Sequence, residues 1–174
     1  MNQAAPATAR GIKLLVLDVD GVLTDGGLYF GASGEQLKRF SILDGLGIKL
    51  LADCQIQTAI ITGRSSAIVQ QRAAELNIAH VIQGREDKLQ ALQELLRQLK
   101  VSQAETAYVG DDLPDLAAIN YCQFGVAVAN AHSEVKKHAN WVCQQRGGNG
   151  AVREVADILL QANNHYAATI AQYV

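Results

Sequence analysis

The 174-residue chain predicts an α/β fold with a mostly parallel sheet of about five core strands, and three observations carry that reading. Short apolar runs of strand length alternate with stretches of helical spacing, as in a parallel sheet covered on both faces. The first of these runs stops abruptly at acidic residues, as a buried strand does where it leaves the core. The only break in the alternation is a pair of strand-like pieces around a Gly/Ser turn, read as a β-hairpin flap.

Taken in order, residues 1–11 form a short polar leader, and the first strand is the run from Lys13 to Leu17. The flap spans about residues 26–40, with Gly31, Ser33 and Gly34 at its turn. A helix from Asp44 to Ala52 leads to a strand from Thr58 to Ile61, and a helix from Ser65 to Leu76 leads to a third strand, His80 to Ile82. Glu86 to Leu99 is the clearest helix, because Leu89, Leu92, Leu95, Leu96 and Leu99 recur at three- and four-residue steps. Strands from Thr106 to Val109 and from Phe124 to Val128 follow. A Gly-rich loop and C-terminal tail occupy about residues 144–174, with a helical pattern from Ala151 to Ala162. The length suits one domain, 1–174, built as a single Rossmann-like three-layer unit. The segments between the strands are too short to hold a cap domain.

Composition narrows the function. At 49% hydrophobic and 18% charged the chain is too apolar to be disordered, and a net charge of -2 gives no basic field for nucleic acid or anionic membranes. Cys54, Cys122 and Cys143 are odd in number and lack metal-ligand spacing, so they read as plain thiols. Residues 1–10 lack a basic start followed by an apolar stretch, and no run reaches membrane-spanning length, so a cytoplasmic location is expected.

Parallel sheets bind ligands beyond the carboxyl ends of their strands. Asp18, Thr62 and Asp111 each follow a strand end. Asp18 and Asp20 lie two apart with Gly21 next, so both carboxylates can face one pocket as the chain turns. Such a pair either caps a turn or, since two adjacent carboxylates resist ionising together, holds a hard cation. Asp112 and Asp115 fit helix capping equally well, whereas Asp111 at the strand edge can give another oxygen to the same metal. Thr62, Gly63 and Arg64 open a helix, offering a hydroxyl and free backbone N–H groups to an anion. Lys88 stands in a first helical turn, where a cation opposes the helix dipole unless an anion lies nearby. Together these groups compose a phosphoryl-transfer site.

In this order the motifs D-x-D-G-V-x-T-D from Asp18, I-T-G-R ending at Arg64, Lys88, and G-D-D-x-x-D ending at Asp115 resemble the haloacid dehalogenase superfamily of phosphatases. The resemblance implies that Asp18 is the nucleophile forming an aspartyl-phosphate and that Asp20 carries the proton. It implies that Thr62 and Lys88 hold the phosphoryl group, and that Asp18, the Asp20 carbonyl and Asp111 bind Mg²⁺, with Asp112 and Asp115 supporting them. Residues 40–48, 63–66, Arg72 and 146–154 further resemble the capless 3-deoxy-D-manno-octulosonate (KDO) 8-phosphate phosphatases of lipopolysaccharide biosynthesis. That family implies a homotetramer in which Arg146, Gly147 and Gly148 close a neighbour's site. Asp20, Asp44, Arg64, Arg72 and Lys88 are then the expected substrate contacts, with Arg64 and Arg72 placed to pair with a sugar-acid carboxylate. Leu43 and Asn130 stand where relatives commonly carry Arg and Asp. A nonulosonic acid 9-phosphate phosphatase is the nearest alternative substrate reading. A phospho-receiver module is a distant one, since its acidic pair, phosphorylated Asp and Lys follow a different order along the chain.

Overall fold

The computed structural model describes residues 5–174. Six strands form one parallel sheet: β1 (Leu14–Leu17), β4 (Gln57–Ile61), β5 (His80–Ile82), β6 (Thr106–Gly110), β7 (Phe124–Ala127) and β8 (Trp141–Val142). The sixth, β8, is one more than expected; its two residues are too few to show a pattern in sequence. Across the sheet the order is β5-β4-β1-β6-β7-β8. Numbered along the chain this is 3-2-1-4-5-6, the Rossmann order, and it differs from the 2-1-3-4-5 order of receiver domains. The receiver alternative is thereby set aside.

The order reverses between β1 and β6, which pair from Leu14↔Thr106 to Leu17↔Val109. A crevice opens at such a reversal because the connections leave in opposite directions. Asp18 and Asp111 emerge on either side of it. Every residue of β1 and β6 is buried, which fixes the two strand ends rigidly. A Leu→Ala change in β1 would cost about 2–5 kcal/mol.

Helices α1 (Ile42–Asp53), α2 (Ala67–Glu75) and α6 (Ala151–Ala162) lie together; α1 packs on α6, and a Cβ at Gly45 of α1 would touch Leu76 at the end of α2. On the other side α4 (Leu116–Tyr121) packs against both α3 (Lys88–Leu99) and α5 (Ser133–His138). The leucine stripe of α3 splits as its spacing requires, with Leu92, Leu95 and Leu96 buried. The short α7 (Tyr166–Ile170) lies against α6. The leader is less peripheral than its polarity suggests, since Ala9 is buried and Gly11 N–H donates to Asn163 Oδ1 at 2.9 Å; residues 1–4 lie outside the described part.

The flap forms as expected. β2 (Tyr29–Gly31) and β3 (Gly34–Leu37) are antiparallel, and a bridge between Thr24 and Phe40 closes the hairpin at its base. Apart from it and α1, nothing is inserted between β1 and β4, and only α2 and β5 stand between β4 and α3. Among the described residues no helix is long and apolar enough to cross a membrane.

Candidate active site

After β1 the chain turns through the compact loop Val19–Leu23, and the turn depends on Gly21 at φ 95°. A Cβ there would collide with the Asp111 carboxylate, so the backbone approaches Asp111 as only glycine allows. Thr24, fully buried, staples the loop: its hydroxyl donates to Val19 O at 3.3 Å and accepts from Gly21 N–H at 3.4 Å and Gly26 N–H at 3.2 Å. Thr24 is part of the quoted first motif, yet its role rests on hydrogen bonds that a motif does not display.

Asp18, Asp20, Thr62, Arg64, Lys88, Asp111, Asp112 and Asp115 line one cleft of about 500 Å³ at the strand ends. A cavity of similar size between α6 and the loop after β8 has its charges spent: Arg153 pairs with Asp157 at 2.9 Å, and Glu154 accepts from Trp141 Nε1, Gln144 N–H and Gln145 N–H.

The sequence reading brought three carboxylates together through Asp20, but the converging set is Asp18, Asp111 and Asp115, with one oxygen of each within 4.8 Å of the others. Asp115 is fully committed. Its Oδ1 accepts from Lys88 Nζ at 2.7 Å and Tyr108 OH at 2.9 Å, and its Oδ2 from the N–H groups of Asp111 (3.1 Å) and Asp112 (3.3 Å). Asp18 and Asp111 also line the cleft, with Asp18 Oδ1 paired to Lys88 Nζ at 3.0 Å. The Asp20 side chain turns instead to Lys38, 2.5 Å away.

Electrostatics mark the same pair. Burial, then the Asp115 charge, pushes Asp18 up to about 6, against the pull of Lys88. Burial and the charges of Asp18 and Asp115 push Asp111 up to about 7. Lys88, 3.0 Å from Asp18, is held protonated above its ordinary value: burial opposes the charge, but Asp18 and Asp115 outweigh it. Two hard oxygen donors strained by mutual repulsion fit Mg²⁺, which a soft or nitrogen-rich site would not.

Thr62 is buried at the end of β4, its Oγ1 accepting from Arg64 N–H at 3.4 Å. Asp112 is exposed and caps the turn that follows it, accepting from Leu113 N–H at 2.8 Å. Arg64 is 45% exposed in its side chain, lies 3.6 Å from Asp20 Oδ2 and 3.8 Å from Glu35 Oε1, and stacks over the Phe30 ring at 5.9 Å, so its half-exposed guanidinium can still meet an anion.

Two expected substrate contacts and the expected lid lie elsewhere. Asp44 is not in the cleft: it is buried in α1 and accepts from Arg153 N–H at 2.8 Å and Gly150 N–H at 3.4 Å, capping α6, because the first amides of a helix need an acceptor. Arg72 does not line the cleft either; it pairs with Glu75 at 3.1 Å and stacks over Phe40. Gly147 and Gly148, expected over a neighbour's site, are wedged into their own chain. Gly147 leaves no room for a Cβ against Gly21 O and donates to Asn130 Oδ1 at 2.8 Å, and Gly148 N–H donates to Val22 O at 2.9 Å. They buttress the Val19–Leu23 loop from behind, while the Arg146 side chain is exposed. The cysteines are unpaired, and burial pushes Cys122 up to about 12 and Cys143 higher still, which makes both inert.

A Rossmann-order sheet with a buried carboxylate, a second acidic cluster, a lysine and a hydroxyl at its strand ends fits a haloacid dehalogenase-like hydrolase, and the model of that family matches residues 74–155. The chain is 47% identical over 156 residues, 90% of its length and 83% of the relative's, to the 3-deoxy-D-manno-octulosonate 8-phosphate phosphatase of Escherichia coli K12. It superposes with TM-score 0.94 and 45% identity on the corresponding phosphatase of Moraxella catarrhalis, solved with magnesium, phosphate and KDO, over 96% of both chains. The cobalt-bound enzyme of Haemophilus influenzae gives TM-score 0.91 at 41% identity, covering 94% of this chain and 99% of that one. The chain belongs to the 3-deoxy-D-manno-octulosonate 8-phosphate phosphatase family.

Proposed function

We propose that this protein is a Mg²⁺-dependent phosphomonoesterase that hydrolyses 3-deoxy-D-manno-octulosonate 8-phosphate to the free sugar acid and phosphate. The observation that carries the reading is the placement of Asp18 between Lys88 and Asp111 at the mouth of the β1/β6 crevice. Asp18 and Asp111, joined by the Asp20 carbonyl, would hold the ion. When bound, Mg²⁺ neutralises the paired carboxylates and the charge developing on the phosphoryl oxygens.

The chain's own groups carry the rest. An Asp18 oxygen attacks phosphorus while the bond to the sugar oxygen breaks, and that oxygen takes the proton from Asp20 as it leaves. Water then attacks phosphorus and gives its proton to the Asp20 carboxylate. The Asp18–phosphorus bond breaks, phosphate departs and both aspartates return to their starting states. Lys88 and the Thr62 hydroxyl hold the phosphoryl group, and Arg64 takes the sugar-acid carboxylate.

With this substrate the reaction belongs to lipopolysaccharide biosynthesis and runs in the cytoplasm. A homotetramer is supported by apolar side chains left in water on the flap and α1, among them Phe30 (62% exposed) and Ile42 (84%); light scattering measures the assembly. The substrate is tested by phosphate release from eight- and nine-carbon sugar-acid phosphates with and without Mg²⁺. Preference for the eight-carbon ester, abolished by chelation, is expected; preference for the longer ester would transfer the assignment to the nonulosonic acids.

A further inference from the structure

Behind Asp20 lies a group of charges that the steps above leave unused. Lys38, near the end of the flap's second strand, has a side chain only 1% exposed, deeper than the Asp20 carboxylate at 19%. Its Nζ lies 2.5 Å from Asp20 Oδ1 and 3.0 Å from Glu35 Oε1. The other oxygen of Glu35 accepts from Ser66 Oγ at 2.5 Å, just before α2, so the flap is latched to the segment that carries Thr62 and Arg64. Lysines are almost never fully buried unless paired, and a surface hairpin gains little stability from burying one. Its neighbour Arg39 shows the ordinary alternative, an exposed side chain reaching Gly148 O and Asn149 Oδ1. The burial of Lys38 serves Asp20.

We propose that Lys38 is a positioning residue for the proton transfer to the leaving oxygen. This rests on the role of Asp20 in the proposed reaction. Lys38 does not line the cleft and so acts through Asp20. By occupying Oδ1 it leaves Oδ2 as the oxygen that delivers the proton, since Arg64 Nε at 3.6 Å from Oδ2 is beyond hydrogen-bonding distance. Because Lys38 and Glu35 both belong to the flap, Asp20 is held in its working orientation only while the flap is down. As the phosphorus–oxygen bond breaks, the proton on Oδ2 passes to the sugar oxygen, and the ammonium of Lys38 faces the carboxylate that remains.

The test uses leaving groups of different need. An alkyl phosphate requires protonation of its oxygen, whereas 4-nitrophenyl phosphate expels a stabilised phenolate without it. Single-turnover release of the alcohol is measured with full-length wild type, Lys38→Met and Asp20→Asn. The alkyl substrate is any sugar phosphate that the wild type cleaves, so an error in the assigned substrate shows in the wild-type rates and not in this comparison. Lys38→Met should lose about 100-fold on the alkyl ester but no more than about threefold on the aryl ester, the same selectivity as Asp20→Asn at smaller size. Should Lys38→Met fail to fold, Lys38→Gln carries the same readout. Equal losses on both esters, a loss confined to KM, or unchanged turnover of the alkyl ester would each overturn the proposal.

Discussion

Lys88 Nζ lies 3.0 Å from Asp18 Oδ1, with both side chains almost wholly buried, so Asp18 carries its counter-charge within the fold. The lysine comes from the first turn of α3, against the helix dipole, and Asp18 and Asp115 are what reverse that penalty. Lys88→Met would leave two buried acids uncompensated. We expect a stability loss of about 3 kcal/mol without Mg²⁺ and a fall in turnover of about 10²–10³-fold, read by denaturant unfolding and phosphate release.

Asp18 and Asp111 hold protons more tightly when folded than when unfolded, with values of about 6 and about 7 against an ordinary 3.8. Their contribution to stability is therefore full below about pH 4 and is lost as pH rises through 6 to 7. Mg²⁺ competes with those protons and should raise the melting temperature more at pH 8 than at pH 5. Asp111→Asn should flatten the metal-free pH dependence and shrink the Mg²⁺ effect. Thermal melts at a series of pH values measure both.

Gly21 is the point where the Val19–Leu23 loop touches Asp111. Gly21→Ala must both strain a φ of 95° and displace the Asp111 carboxylate. Calorimetric titration should show Mg²⁺ affinity reduced at least about tenfold, with the far-ultraviolet dichroism of the fold retained. Undiminished affinity would remove Asp111 from the metal site.

Asp44 caps α6 and does not face the cleft. Asp44→Ala should destabilise the protein by about 1–2 kcal/mol and leave KM for the sugar-acid phosphate within about twofold. Steady-state kinetics below the melting transition decide; a large rise in KM would return Asp44 to the substrate.

The contrast between Asp18 and Asp44 shows what was legible in the sequence. Asp18, Thr62 and Asp111 each terminate an apolar strand, so periodicity alone places them at one edge of the sheet, and family motifs supply their roles. Asp44 sits early in a helix, where capping its own first turn, capping a neighbouring helix and binding substrate look alike; only the packing of α1 on α6 selects among them. Lys38 was missed because an alternating hairpin strand carries lysines as a matter of course, and its burial depends on the flap folding over Asp20. β8 and the six-residue helices α4 and α5 are too short to impose a period. Gly147 and Gly148 are expected over a neighbour's site by family resemblance, whereas their lack of side chains lets them pack against the loop at Gly21 and Val22 of their own chain.

If Asp18 attacks phosphorus, acid quenching during turnover of a substrate labelled in its phosphate traps the label on Asp18. The label should be recovered on the peptide containing Asp18, be released by hydroxylamine as an acyl phosphate is, and be absent from Asp18→Asn. Label on no residue, or sustained turnover by Asp18→Asn, would contradict it.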